Sequence, residues 1–141
     1  MSDAAISTTS AVSEAEASGR VAEIFADIKS TKQIESVPNF WRTLASNQDL
    51  LESVWGEVKR WMHPESVGRE PKLDAQTREM IALAVSATNG CAYCLNAHTA
   101  AAQQLGLDAE TLGEVMAIAS LFNRTNALAD GFQVTPDVRP Q

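Results

Sequence analysis

Apolar residues along this chain recur at spacings of three and four, and no segment alternates between apolar and polar positions as a β-strand does. The clearest group lies near the N-terminus and predicts one face of an amphipathic helix: Val21, Ile24, Phe25 and Ile28. Ser13 and Glu16 have the spacing of a capping box, so this helix is predicted to run from Ser13 to about Lys29.

Capping residues and helix breakers divide the rest of the chain into five more predicted helices. Asn47, Asp74 and Asp108 have side chains that commonly accept a hydrogen bond at a helix start. Asn89 and Gly90 tolerate left-handed geometry and end the helix that follows Asp74. The predicted ranges are 38–47, 47–62, 75–88, 91–105 and 109–129, with a break or bend at 123–126. Together they predict an all-α helical bundle of about six helices.

The length of 141 residues suits a single domain that buries its own core without structural disulfides. Residues 1–12 carry Ser, Thr and Ala with little to bury, so we expect a flexible N-terminal segment there. Residues 13–130 form the predicted helical domain. Residues 131–141 contain two prolines and are predicted to be a C-terminal tail.

Large side chains concentrate on the second and third predicted helices: Phe40, Trp41, Trp55, Trp61 and Met62. The helix at 75–88 is apolar on nearly all sides and is therefore predicted to be buried. This helix and the helix at 91–105 are built mostly of small residues, which fill little volume. One chain therefore has limited room to bury the five large side chains. We therefore expect a homo-oligomer that covers the aromatic patch. The alternative is that this patch is ordinary intrachain core.

The net charge of −7 argues against a nucleic-acid partner, because the 11 basic residues are scattered and form no phosphate-binding run. No stretch approaches 18 apolar residues, so no membrane span is predicted. The N-terminus lacks the basic start and apolar run of a secretory signal, and we therefore expect a cytoplasmic protein. The two cysteines lie close together, a pattern typical of a catalytic, redox or metal-binding pair in such a chain.

The chemistry of the chain is concentrated between residues 79 and 98. Cys91, Cys94 and His98 are spaced by three and four positions, so they project from one face of a helix. Cysteines on a first helical turn are close enough to form a disulfide, and the helix dipole stabilises a thiolate there. A nearby imidazole adds a proton acceptor that is restored at neutral pH.

Glu79 is a carboxylate within an apolar, Ala- and Ile-rich helix. If it faces the interior, it suits the role of a general base. The alternative is a solvated, salt-bridging face that Glu79 shares with its neighbour Arg78.

Other interpretations of the cysteine pair are open at this point. Free cysteines are often small buried hydrophobic residues. Two thiolates, an imidazole and a carboxylate could fill a tetrahedral zinc site, although structural zinc sites usually take ligands from two separate pairs. Covalent haem attachment needs a histidine directly after the second cysteine, where this chain has Leu95. We therefore predict no cofactor and no metal.

Residues 79–98 follow the pattern Glu, eleven residues, then C-x-x-C-x-x-x-H. This pattern resembles the core of the alkylhydroperoxidase D-like (AhpD-like) branch of the carboxymuconolactone decarboxylase superfamily. Weaker matches at residues 37–40 and 122–124 resemble its peroxidase-related subgroup, and the resemblance covers roughly residues 20–130.

The resemblance implies an AhpD-like helical fold that assembles into trimers or hexamers. It implies that Cys94 attacks the peroxide and that Cys91 resolves the product as a disulfide. Glu79 and His98 match the family's proton-relay residues. Tyr93 stands where the best-known member has a further histidine. A phenol can pass a hydrogen bond, but it is a poor base at neutral pH.

The first functional hypothesis is a thiol-dependent peroxidase or disulfide oxidoreductase. Its expected partners are a small hydroperoxide and a thiol or disulfide electron donor of unknown identity. The second is a lyase acting on a small lactone or carboxylate, as in the decarboxylase branch, whose members lack the cysteine pair. The third is a non-catalytic, redox-sensitive oligomeric module.

Overall fold

The computed structural model describes residues 8–141, and these residues form α-helices with no β-strand among them. The described part of the chain contains six α-helices, as predicted: α1 (Gly19–Lys32), α2 (Asn39–Leu44), α3 (Gln48–Met62), α4 (Ala75–Thr88), α5 (Ala92–Gln104) and α6 (Ala109–Gly131). A short 3-10 helix, Pro64–Val67, follows α3. Within the described residues, no helix is long and apolar enough to cross a membrane.

The chain divides into two compact units. The first ends at Pro71 and contains α1, α2 and α3. The second, Lys72–Gln141, contains α4, α5 and α6.

The core of the first unit joins all three of its α-helices through buried apolar side chains: Ile24, Phe25, Ile28, Val37, Trp41, Ala45, Leu51 and Trp55. The rings of Trp41 and Trp55 meet edge to face, with centroids 5.2 Å apart. The indole N–H of Trp55 donates to Asp27 at 2.7 Å, and the Lys59 ammonium donates to the same carboxylate oxygen at 2.8 Å. A buried indole therefore keeps its hydrogen bond, as burial of tryptophan requires.

The expectation that one chain has limited room for its five large side chains is wrong for Trp41 and Trp55, which are buried in this core. Phe40 and Trp61 remain exposed. Assembly into a homo-oligomer stays a prediction.

The first helix begins later than the capping-box pattern predicts. Ser13 and Glu16 do form the reciprocal contacts of a capping box. The Ser13 N–H donates to Glu16 Oε2 at 3.1 Å, and the Glu16 N–H donates to Ser13 Oγ at 3.2 Å. This capping box closes a separate turn that precedes α1. Gly19, at the start of α1, has a left-handed backbone with φ 53°, and this separates the turn from the helix.

Residues 1–7 of the predicted flexible segment lie outside the described residues. Further along, Val12 is paired with α2. Its N–H donates to the Arg42 carbonyl at 2.9 Å, and Arg42 Nε donates to the Val12 carbonyl at 3.1 Å.

In the second unit, α4 packs against both α5 and α6. The two aspartates predicted as caps do cap their helices. Asp74 accepts from the Thr77 N–H at 2.7 Å, and Asp108 accepts from the Thr111 N–H at 2.8 Å. Leu83, Ala102 and Leu107 form the core, and half-buried apolar residues surround it.

Two predictions for this unit are wrong. The helix α4 is not buried on all sides, because Ile81 is 50% and Val85 54% exposed beside an open groove of about 630 Å³ between α4 and α6. Of the break or bend predicted at residues 123–126, the break is wrong, because the last helix continues to Gly131, and the bend stays a prediction. Instead of breaking α6, the Asn123 side chain donates to Thr88 Oγ1 on α4 at 3.1 Å.

Leu51 and Leu50 offer a matched test of the first core. Leu51 is fully buried in α3, whereas its neighbour Leu50 is 47% exposed. We expect Leu51→Ala to lower the free energy of unfolding by about 2–5 kcal/mol, because it removes buried methyl groups and leaves a cavity. Leu50→Ala should change it by about 0.5 kcal/mol or less. Urea titration followed by circular dichroism measures both, and equal losses would contradict this assignment of the core.

Candidate active site

The turn between α4 and α5 places the first cysteine. Gly90 has φ 67°, in the left-handed region that favours glycine, and this conformation ends α4. The Cys91 N–H then donates back to the Ser86 carbonyl of α4 at 3.0 Å. Because α5 starts at Ala92, Cys91 becomes the N-cap residue of α5.

The sulfur of Cys91 caps α5. Its Sγ accepts a hydrogen bond from the backbone N–H of Cys94 at 3.3 Å, in the position that a serine or aspartate oxygen usually occupies. Both thiols are free and half-buried. This differs from the fully buried environment of a structural cysteine.

The two thiols differ in acidity. The pKa of Cys91 is lowered because the Cys94 thiol donates a hydrogen bond to it and the backbone N–H groups of Cys94 and Tyr93 point at it. The pKa of Cys94 is raised because its proton is held by Cys91, and partial burial adds to the effect. Loss of a proton from the reduced pair is therefore favoured at Cys91 and disfavoured at Cys94.

Glu79 faces inward and meets the histidine. Its Oε2 lies 2.7 Å from Nδ1 of His98, and its side chain is only 12% exposed, against 31% for His98. An ionised carboxylate only accepts hydrogen bonds, so this contact places the proton on Nδ1 and leaves Nε2 as the basic nitrogen. Arg78 instead donates to the Leu73 carbonyl at 2.6 Å, so the alternative of a solvated Arg78–Glu79 face is wrong.

The helix α5 connects the cysteine pair with the Glu79–His98 pair. Cys94 and His98 are four residues apart within α5, so they share one face one turn apart. Glu79 reaches this face from α4, which packs against α5. Tyr93 is exposed in the first turn of α5, next to Cys94 in sequence.

A metal centre is not assembled at this site. Within residues 8–141, no group of three or more His, Cys, Asp or Glu side chains is placed to hold a metal ion. The chemistry that the arrangement offers is that of a dithiol beside a carboxylate–imidazole pair.

Sequence reasoning identified these residues but not the acidity order of the thiols. It also did not single out Ser86, whose carbonyl receives the Cys91 N–H. The sequence signal for this turn is the pair Asn89 and Gly90. A left-handed residue after a helix commonly turns the N–H of the next residue back toward a carbonyl in the last turn of that helix.

A family model for the carboxymuconolactone decarboxylase family matches residues 59–137. Among curated proteins, the chain is 30% identical over 110 residues to an alkyl hydroperoxide reductase AhpD of Streptomyces griseus, covering 77% of this chain and 60% of that protein. It is 29% identical over 109 residues to the protein of the same name from Streptomyces coelicolor, covering 77% and 59%. The chain thus spans about three fifths of the length of these relatives.

Among solved structures, the crystal structure of the alkylhydroperoxidase AhpD core from Rhodospirillum rubrum superposes with a TM-score of 0.86 at 39% identity. The match covers 94% of this chain and 96% of that one. The family match, the relatives and the shared fold agree with one another. The chain belongs to the carboxymuconolactone decarboxylase family, as an AhpD-like protein.

Proposed function

We propose that this protein is a thiol-dependent peroxidase that reduces small hydroperoxides through the Cys91–Cys94 pair. The observation that carries the proposal is the sharing of one helix N-terminus by two free thiols, with the Cys91 sulfur 3.3 Å from the Cys94 N–H. The peroxide-reducing names of the relatives support the same class of reaction.

The first step oxidises Cys94. The Cys94 thiol gives its proton to Nε2 of His98, whose Nδ1–H is held by Glu79. The resulting thiolate attacks one peroxide oxygen, the O–O bond breaks, and Cys94 becomes a sulfenic acid. The departing alkoxide takes the proton from His98 and leaves as an alcohol. We propose that Tyr93, in the first turn of α5, donates a hydrogen bond to the incoming peroxide.

The second step forms the disulfide. The Cys91 thiolate attacks the sulfur of the Cys94 sulfenic acid and expels hydroxide, which takes up a proton to become water. Cys91 is suited to this step because the hydrogen bonds that it accepts lower its pKa and so favour the thiolate. A thiol donor then returns two electrons and restores the dithiol.

The redox pair is tested by adding one equivalent of hydroperoxide to the reduced protein. We expect the mass to fall by about two hydrogens and both thiols to become resistant to alkylation, as disulfide formation requires. Cys91→Ser and Cys94→Ser each remove one partner and should show no such loss of mass. Two thiols that stay alkylatable in excess peroxide would refute the proposal.

The relay is tested by Glu79→Gln, which keeps the shape and hydrogen bonding of the side chain but removes its charge. We expect oxidation of the thiols near neutral pH to slow by about 10²-fold or more, the usual size of a general-base contribution. The rate should recover at high pH, where hydroxide removes the Cys94 proton directly.

The matched control for this variant is Glu114→Gln, which changes an exposed carboxylate on α6 and should leave the rate unchanged. Stopped-flow measurement of thiol loss gives the rates. An unchanged rate for Glu79→Gln at neutral pH would reduce Glu79 to a structural residue.

A further inference from the structure

We propose that Asn123 is a positioning residue for the redox pair: its side chain holds the last turn of α4 on α6 and thereby keeps Cys91 within reach of Cys94. This inference rests on the proposed function and adds to it a residue that lies outside the reacting groups. It follows from the way in which the chain passes from α4 into α5.

The two cysteines are placed by different parts of the second unit. Cys94 lies within α5, so the helix itself fixes its backbone. Cys91 precedes α5, and its N–H donates to the Ser86 carbonyl in the last turn of α4 at 3.0 Å. Ser86 is buried, and its hydroxyl donates to the Ala82 carbonyl at 2.7 Å. The position of Cys91 therefore follows the position of the last turn of α4.

A side-chain hydrogen bond joins this last turn to α6. The Asn123 amide donates to Oγ1 of Thr88, the final residue of α4, at 3.1 Å. The Thr88 hydroxyl gives its own proton to the Ala84 carbonyl at 2.8 Å, so its oxygen is oriented to accept from Asn123. Only two residues separate Thr88 from Cys91. The contact with α6 thus acts directly before the turn that places the first cysteine.

The geometry of a disulfide makes the cysteine pair sensitive to this contact. A disulfide forms only when the two Cα atoms lie about 4.4–6.8 Å apart and the Cβ atoms are directed at each other. In the dithiol state no covalent bond holds Cys91 near Cys94, so the turn after α4 determines how often the two sulfurs meet. Loss of the Asn123 contact frees that turn and lowers the effective concentration of one thiol at the other. The disulfide then becomes less favourable relative to the dithiol.

A second asparagine on α6 offers a matched comparison. Asn126 lies one turn after Asn123 and lines the same end of the groove between α4 and α6. Unlike Asn123, it makes no side-chain hydrogen bond within residues 8–141. The two residues therefore share chemistry and location, and they differ in the contact with α4.

The test measures the equilibrium between the reduced full-length protein and glutathione disulfide. Glutathione disulfide takes two electrons and two protons from the dithiol, which leaves the Cys91–Cys94 disulfide and two molecules of glutathione. Acid quenching, alkylation and mass spectrometry give the fraction of each form across a series of glutathione ratios. We expect Asn123→Ala to lower the equilibrium constant by about two- to tenfold, the size of one lost neutral hydrogen bond.

Variants of Thr88 test the same contact from the other side. Thr88→Val removes the acceptor with little change of shape and should lower the constant by the same factor, which also gives an answer if Asn123→Ala does not fold. The double variant Asn123→Ala/Thr88→Val should lower it no further, because both changes remove one bond. Thr88→Ser keeps the hydroxyl and should retain the wild-type value.

Two controls separate positioning from a general loss of stability. Asn126→Ala removes an amide from the same end of the groove and should leave the equilibrium constant unchanged. Gln76→Ala removes a comparable bond at the opposite end of α4, where Gln76 Nε2 donates to the Leu105 carbonyl at 2.8 Å. It should lower the free energy of unfolding about as much as Asn123→Ala does, without changing the glutathione equilibrium.

An unchanged constant for Asn123→Ala, an equal loss for either control, or losses that multiply in the double variant would overturn the positioning role. Each of these results would leave the proposed function standing, because the wild-type disulfide still forms. A wild-type protein that forms no disulfide would instead defeat the proposed function, and the positioning role with it.

Discussion

Cys91 closes the first turn of α5 with its own sulfur, and this contact links the chemistry of the site to the start of a helix. The contact depends on Gly90, whose left-handed backbone ends α4 one residue earlier. A residue with a Cβ at position 90 would strain that backbone and disturb the direction in which Cys91 enters α5. The same turn therefore places Cys91 at the start of α5, where its sulfur accepts the Cys94 N–H.

The packing of α4 on α5 provides the second half of the site. Leu83 and Ala102 are fully buried between these elements, and the small side chain of Ala102 lets the helices approach closely. Glu79 lies one turn before Leu83 on α4, and it reaches His98 at 2.7 Å from there. A partly buried carboxylate in contact with an imidazole makes a stable pair whose outer nitrogen can exchange protons. The redox pair and the relay are thus positioned by one helix–helix contact and one turn.

Local signals in the sequence predicted where α4 and α6 begin and where α4 ends, because Asp74, Asp108 and Gly90 act on their own neighbours. Features that depend on contacts distant in sequence were predicted poorly. The buried Trp55 indole donates to Asp27, and the Asn123 side chain of α6 donates to Thr88 of α4, and neither partner is near in sequence. The acidity order of the thiols depends on which sulfur donates to the other, and spacing alone does not contain that information.

We propose that the cysteine pair cycles between dithiol and disulfide, with peroxide as its oxidant and a dithiol as its reductant. Steady-state consumption of a small hydroperoxide, measured with a panel of dithiol reductants, tests this claim most directly. We expect the wild-type protein to consume many equivalents of peroxide with at least one reductant, and Cys91→Ser/Cys94→Ser to show only the rate of the reductant alone. Equal rates for the two proteins across the panel would contradict the account.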